Sequence, residues 1–181
     1  MMQFKKTRQA LEMEQEYHRI VEEAQIRRGD SDRFFNRGST LLDFTPTRST
    51  SGSAGYDLFA CITEPVTIYP DEVKKIGTGV HVWLGEDATL SEELKWCGLL
   101  MPRSSNEGCI LNNTIGLLDS DYTGELFAKW RNSTDAPITF TPGQKFCQLV
   151  IVPAFIGKLT EVEEFESSTE RGNGGFGSTG S

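Results

Sequence analysis

The chain has 181 residues, a net charge of −8, and 24% charged against 37% hydrophobic residues. This length suits one domain with at most a small appended element, and it is enough to bury a sizeable core. The chain carries no basic stripe for nucleic acid and no run near the ~20 apolar residues of a membrane span, and its charged first 24 residues lack the apolar core of a secretory signal. Cys61, Cys97, Cys109 and Cys147 are widely spaced with no CxxC. They read as reduced thiols of a cytosol-like compartment, so a cytoplasmic location, or the host cytoplasm for a viral chain, is expected. Without a signal, the sequons at Asn112 and Asn132 are read as chance matches.

Along the chain, Ala10, Met13, Tyr17, Ile20 and Ala24 recur at alternating spacings of three and four, which predicts an amphipathic helix of about two heptads. Arg27, Arg28 and Gly29 supply its cationic last turn and its stop. Such a helix either meets its copies in an oligomer or lies on its own domain, and the second reading is favoured. Residues 1–40 are therefore taken as a helical extension and linker, 41–165 as a β domain, and 166–181 as a glycine-rich arm. Short strands are expected at 41–45, 56–62, 66–68, 73–76, 80–84, 94–101, 126–130, 138–140, 146–152 and 161–164. Turns fall at Pro70-Asp71, Gly85-Glu86, Thr123-Gly124 and Pro142-Gly143. Thr89 and Glu92 have capping-box spacing, which predicts a helical turn within 85–93. Many short, evenly punctuated strands argue an all-β sandwich, barrel or jelly roll.

Five segments carry more polar chemistry than plain β structure needs. In Ser53-Ala-Gly-Tyr-Asp57-Leu-Phe-Ala60 an acid sits inside an apolar strand, which is costly unless it binds a cation or accepts hydrogen bonds; the alternative is a turn-capping aspartate. Met101-Pro102-Arg103-Ser104-Ser105-Asn106 presents a guanidinium, hydroxyls and free N–H groups suited to a phosphate, although an Arg–carboxylate pair fits equally well. The stretch from Asn113 through Gly116, Asp119 and Tyr122 to Glu125 reads as a hairpin exposing a carboxylate and a ring. Such a carboxylate beside bound water can serve as a general base, and the alternative is an Asp/Gly turn with a packed tyrosine. Gln148 is a polar residue in an apolar run after Pro142-Gly143, either a satisfied core amide or a ligand contact. Finally, Arg171-Gly-Asn-Gly-Gly-Phe176-Gly177-Ser178-Thr-Gly-Ser181 offers a cation, an aromatic face and many unobstructed N–H groups. It contains GxGxxG, but that motif must follow a strand and open a helix, and only four residues remain. The segment reads as a lid for a planar polyanion or as a Gly/Ser tail. His18 and His81 have no partners at metal-site spacing and read as structural or surface residues.

Taken together and in this order, AGYDL, PRSS, GLLDSDYTGE, PGQKFCQLV and RGNGGFGSTG make residues 41–181 resemble the trimeric deoxyuridine triphosphatase (dUTPase) family. The resemblance implies a jelly-roll-like β-barrel assembled as a homotrimer with shared active sites, hydrolysing dUTP to dUMP and pyrophosphate with Mg²⁺. It implies that backbone groups around Asn113, Gly116, Leu117 and Leu118 read uracil, and that Tyr122 packs beneath the deoxyribose and excludes a 2′-hydroxyl. Asp119 would activate the attacking water. Arg103, Ser104, Ser105 and Gln148 would grip the phosphates, and Asp57 would reach the metal through water. Phe176 would stack on the base while Arg171, Gly177 and Ser178 meet the distal phosphates. The chain departs from the family pattern at Ser105, where glycine is usual, at Asn106, at Cys147, in a longer segment near 85–95, and in the added N-terminal helix. Two other readings are weighed: the related dCTP deaminase, which lacks the RGxGGFGS arm, and a nucleotide-gated interaction protein.

Overall fold

The computed structural model describes residues 2–28, 42–84, 89–170 and 172. Eleven strands and one helix follow in order: β1 Gln3–Lys6, α1 Arg8–Arg28, β2 Gly55–Phe59, β3 Val66–Ile68, β4 Val73–Trp83, β5 Thr89–Ser91, β6 Leu94–Pro102, β7 Cys109–Leu111, β8 Gly116–Leu118, β9 Glu125–Asn132, β10 Ile138–Phe140 and β11 Lys145–Phe155. They form a sheet in the order β1-β4-β9-β7, a larger sheet in the order β2-β11-β6-β5 with β8 added against β6, and a small β10-β3 ribbon. All pairings are antiparallel. The result is the expected all-β, jelly-roll-like body carrying a helix.

Burial in β9 alternates strictly from Leu126 to Asn132, the period-2 signature of a strand with one face on the core. Its inward Trp130 meets Phe140 and Phe146 at centroid separations of 5.7 and 6.2 Å, within the range of favourable ring contacts. Leu58, Ile68, Ile76, Val80 and Leu149 fill the space between the sheets around these rings. Asn132 is fully buried, yet its amide is satisfied: Nδ2 donates to Ile68 O and Ala136 O, and Oδ1 accepts from Thr134 N. That sequon therefore has no free acceptor amide. The four cysteines are buried free thiols. Burial pushes Cys61 up to about 11 and Cys147 well above its ordinary value, so these thiols stay protonated and unreactive.

The expected strands 73–76 and 80–84 are one strand, β4. Its ladder with β9 shifts register between Gly77 and His81, and Gly79 sits at φ 69°, so a bulge rather than a turn separates the two apolar runs. Residues 42–45 and 161–164 form no strand; Phe44 is buried without a ladder, and the second segment lies in solvent. In place of a helical turn at Thr89, β5 pairs with β6 as a short hairpin, while Gly85-Glu86 lies outside the described residues. Four strands lack a clear sequence signal, namely β1, β5, β7 and β8. Each is three or four residues long and gains its geometry from a longer neighbour.

The helix does lie on its own domain. Ala10 is fully buried with Phe44 and Cys61, and Met13 packs against that cluster. Thr7 caps the helix, its Oγ1 accepting from Ala10 N at 3.1 Å. Among the described residues no helix is long and apolar enough to cross a membrane.

Candidate active site

Two groups of side chains take shape. The first is built on β8 and the turn that follows. The segment leading into β8 is tightly wound: Thr114 N donates to Leu111 O at 2.8 Å and Ile115 N to Asn113 O at 2.7 Å, with Thr114 at φ 61°. A β-branched residue in that region is strained and is held there only by its surroundings. Past β8, Tyr122 N donates to Asp119 O at 3.1 Å, and Tyr122 Oη donates to Glu125 O at 2.9 Å. The ring folds so closely over Gly124 that any Cβ there would collide with it. Asn113, Gly116, Leu117, Leu118, Asp119 and Tyr122 thereby line one open cleft of about 270 Å³. Asp119, Tyr122 and Leu117 are exposed to it.

The second group sits at the end of β6 and the start of β11. Gln148 stands opposite both Asp57 and Met101, and its Nε2 donates to Pro102 O at 2.9 Å. Arg103 Nε donates to Asp57 Oδ1 at 2.8 Å, and Lys145 Nζ donates to Asp57 Oδ2 at 2.8 Å. Ser49 Oγ donates to the same Oδ2 at 3.2 Å. Burial pulls the Asp57 carboxyl up, but Lys145, Arg103 and Ser49 outweigh it and hold it below the usual carboxylate range. The buried acid that the sequence left open is thus ion-paired, and its guanidinium partner comes from the PRSS turn. Arg103 Nη1 also reaches Ser105 Oγ at 3.4 Å.

Two of the departures from the family pattern, Ser105 and Asn106, find local explanations here. Among the described residues, positive φ at a non-glycine residue occurs at Asp71 and Thr114, so Ser105 sits in an ordinary backbone conformation where glycine is not needed. Asn106 ties the turn down, with its N donating to Arg103 O at 3.0 Å and its Nδ2 to Phe146 O.

None of Arg103, Ser104, Ser105, Gln148 and Asp57 lines the Asp119 cleft. The two groups meet the same pair of strands, since Leu100 and Leu149, next to Met101 and Gln148, line the cleft, but they do not share the cleft. Arg171, Phe176, Gly177 and Ser178 lie outside the described residues. Sequence reasoning missed three residues. Lys75 and Glu125 line the cleft from β4 and β9, and Lys145 is the second counter-ion of Asp57. Glu125 closes the hairpin that the sequence did mark, but Lys75 lies on β4, far from that hairpin in sequence, and only the β4–β9 pairing brings it there. Lys145 had a fainter signal, because a carboxylate inside an apolar strand demands cations.

The described residues hold no cluster of three or more metal-ligating side chains. Asp57 has about four lone-pair positions and spends three of them on Arg103, Lys145 and Ser49. This fits contact with a hydrated ion through water and does not fit direct ligation.

A family model, dUTPase, matches residues 44–180. The chain belongs to the dUTPase family. It is 44% identical over 135 residues to the deoxyuridine 5′-triphosphate nucleotidohydrolase of Coxiella burnetii (strain RSA 331 / Henzerling II), covering 75% of this chain and 86% of that one. Among solved structures it is similar to a variant of the Staphylococcus bacteriophage 80alpha dUTPase with dUpNHpp, at a TM-score of 0.65 and 30% identity over 78% of this chain and 96% of that one. It is also similar to a variant dUTPase of phage phi11 of S. aureus described with a structural Mg(II) ion, at a TM-score of 0.58 and 29% identity over 71% of this chain and 97% of that one. The dUTPase match begins at residue 44, so β1 and α1 lie outside it.

Proposed function

We propose that this chain hydrolyses dUTP to dUMP and pyrophosphate, limiting uracil in DNA and supplying dUMP for thymidylate synthesis. The observation that carries this reading is the open cleft that sets an exposed Asp119 beside Asn113, Gly116 and Tyr122 in a member of the dUTPase family. Asp119 takes the proton of a water that attacks the α-phosphorus in line. Unlike Asp57, it faces the cleft, where a water can reach it. General-base help of this kind is worth ~10²–10⁴ in rate. Backbone groups at Asn113 and Gly116–Leu118 read the uracil edge. The Tyr122 ring, fixed by its hydrogen bond to Glu125 O, packs beneath the deoxyribose and leaves no room for a 2′-hydroxyl.

Phosphoryl-type displacement relies on positioning and charge neutralisation more than on covalent chemistry. Arg103, Ser104, Ser105 and Gln148 grip the phosphates, with Asp57 and Asn106 holding the turn that presents them. Asp57 would contact a hydrated Mg²⁺ through water, and the ion would supply further charge neutralisation for the triphosphate. The arm brings Arg171, Phe176, Gly177 and Ser178 over the substrate.

The active unit is a homotrimer in which one subunit gives the Arg103–Gln148 group, a second the Asp119 cleft, and a third its arm. Two observations support this. The Arg103–Gln148 group does not line the Asp119 cleft of its own chain, and the segment after β11 leaves Leu159 and Phe165 94% and 89% exposed. That exposure leaves the segment available to a neighbouring subunit.

The test is pyrophosphate release from dUTP, dCTP, dTTP and UTP, each with and without Mg²⁺. Selective, Mg²⁺-stimulated release from dUTP is expected. Release of ammonia from dCTP in its place would point to the deaminase chemistry.

A further inference from the structure

The N-terminal strand and helix precede the family match, yet they are wired to the hairpin that holds Tyr122. β1 pairs with β4, setting Lys5 opposite His81 and Lys6 opposite Val80. Thr7 N donates to Gly79 O at 2.7 Å. One turn into the helix, Ala10 is fully buried against Gly79; a Cβ on that glycine would come within 2.7 Å of the alanine methyl. Lys6 then locks the segment to the start of the matched domain, with Nζ 2.7 Å from Glu14 and 2.8 Å from Asp43, while Glu14 Oε1 accepts from Phe44 N at 2.7 Å.

On the other side of β4, the same bulge grips the catalytic hairpin. Gly79 N donates to Glu125 Oε1 at 3.0 Å, and the Glu125 carbonyl is the acceptor for Tyr122 Oη. His81, paired with Lys5 on one side and Glu125 on the other, sets its Nδ1 2.9 Å from Thr123 O. Gly79 thus bonds through its carbonyl to the N-terminal segment and through its N–H to the residue that holds Tyr122. A shift of the bulge moves both.

We propose that the β1–α1 segment is a positioning clamp: by seating Ala10 and Thr7 on the Gly79 bulge it fixes Glu125, and through Glu125 the Tyr122 ring, so that it tunes discrimination between deoxyribose and ribose. This rests on the reading of Tyr122 given under Proposed function. The clamp touches no substrate. Its effect is on the height of the ring beneath the sugar, where small displacements change how well a 2′-hydroxyl is rejected.

The test compares the full-length protein with Ala10→Leu, Glu125→Ala, Glu125→Gln and Tyr122→Ala. The readout is the ratio of the UTP inhibition constant to the dUTP KM, with thermal unfolding measured in parallel. Ala10→Leu overfills the contact with Gly79, and Glu125→Ala removes the acceptor, so each should lower that ratio by about tenfold. Glu125→Gln keeps a carbonyl oxygen for Gly79 N and should retain the wild-type ratio. A merely structural role would lower the melting temperature and leave the ratio unmoved. Should Ala10→Leu not fold, the Glu125 pair decides alone. If Tyr122→Ala lowers the ratio while Ala10→Leu and Glu125→Ala do not, the clamp is wrong and the cleft reading survives. If Tyr122→Ala leaves the ratio unchanged, the reading of Tyr122 fails, and the clamp with it.

Discussion

Asp57 and Asp119 are both carboxylates in the motifs that define this site, and the fold treats them in opposite ways. Asp57 is 6% exposed and is met by Arg103, Lys145 and Ser49. Asp119 faces an open cleft. A carboxylate saturated by cations is held in its charged form and has little capacity left for chemistry, whereas one at a cleft wall can bind and activate water. The contrast separates a group that ties down the Arg103 turn from one left open at a cleft wall, where the proposed reaction needs it.

The largest expected effect breaks the reactive side of this contrast. Asp119→Asn should bind dUTP as before and lose ~10²–10⁴ in kcat, measured by pyrophosphate release beside calorimetric binding. Next comes removal of residues 171–181, which should cost about 10² or more in turnover through lost positioning, with the folded body intact by circular dichroism.

On the organising side, Asp57→Asn should lower stability by about 1–2 kcal/mol in urea, because Arg103 and Lys145 lose their shared counter-ion. The value is modest because the Lys145 side chain is 39% exposed. This difference should depend on pH in one direction. The folded carboxyl lies below its unfolded value, so its contribution is complete above about pH 4 and disappears as pH falls through the depressed folded value. Urea midpoints of the two proteins should therefore converge in acid. A gap that widens instead would contradict the ion pairing.

The smallest effect concerns the turn that shapes the cleft. Thr114→Gly relieves a positive φ but adds unfolded-chain entropy, so a net gain of about 0.5 kcal/mol is expected, read as a raised urea midpoint. It sharpens the comparison by asking whether strain is stored on the Asp119 side.

The longer strands were legible because each has one wet and one dry face: β9 alternates over eight residues, and the core half of β11 stands out as an apolar run. The motif around Asp119 and the chemistry of PRSS were equally plain in the residue types. β1 was not. Gln3-Phe4-Lys5-Lys6 has no buried face, and it is a strand only because the edge of β4 offers it a ladder. The division of β4 into two expected strands has the same origin, since the glycines at 77 and 79 interrupt the apolar pattern and only the pairing with β9 shows one bulged strand.

The amino-acid order by itself determined the all-β class, the helix ahead of it and the set of polar residues from which a nucleotide site is made, since periodicity and residue chemistry are local properties. Tertiary structure alone decided which of those residues work together. It matched Asp57 with Arg103, 46 positions away, and with Lys145, 88 positions away, and it set Glu125 against a bulge that the N-terminal segment also holds. Ion pairs and backbone bridges of that span depend on how the sheets stack, and no window of sequence encodes that distance.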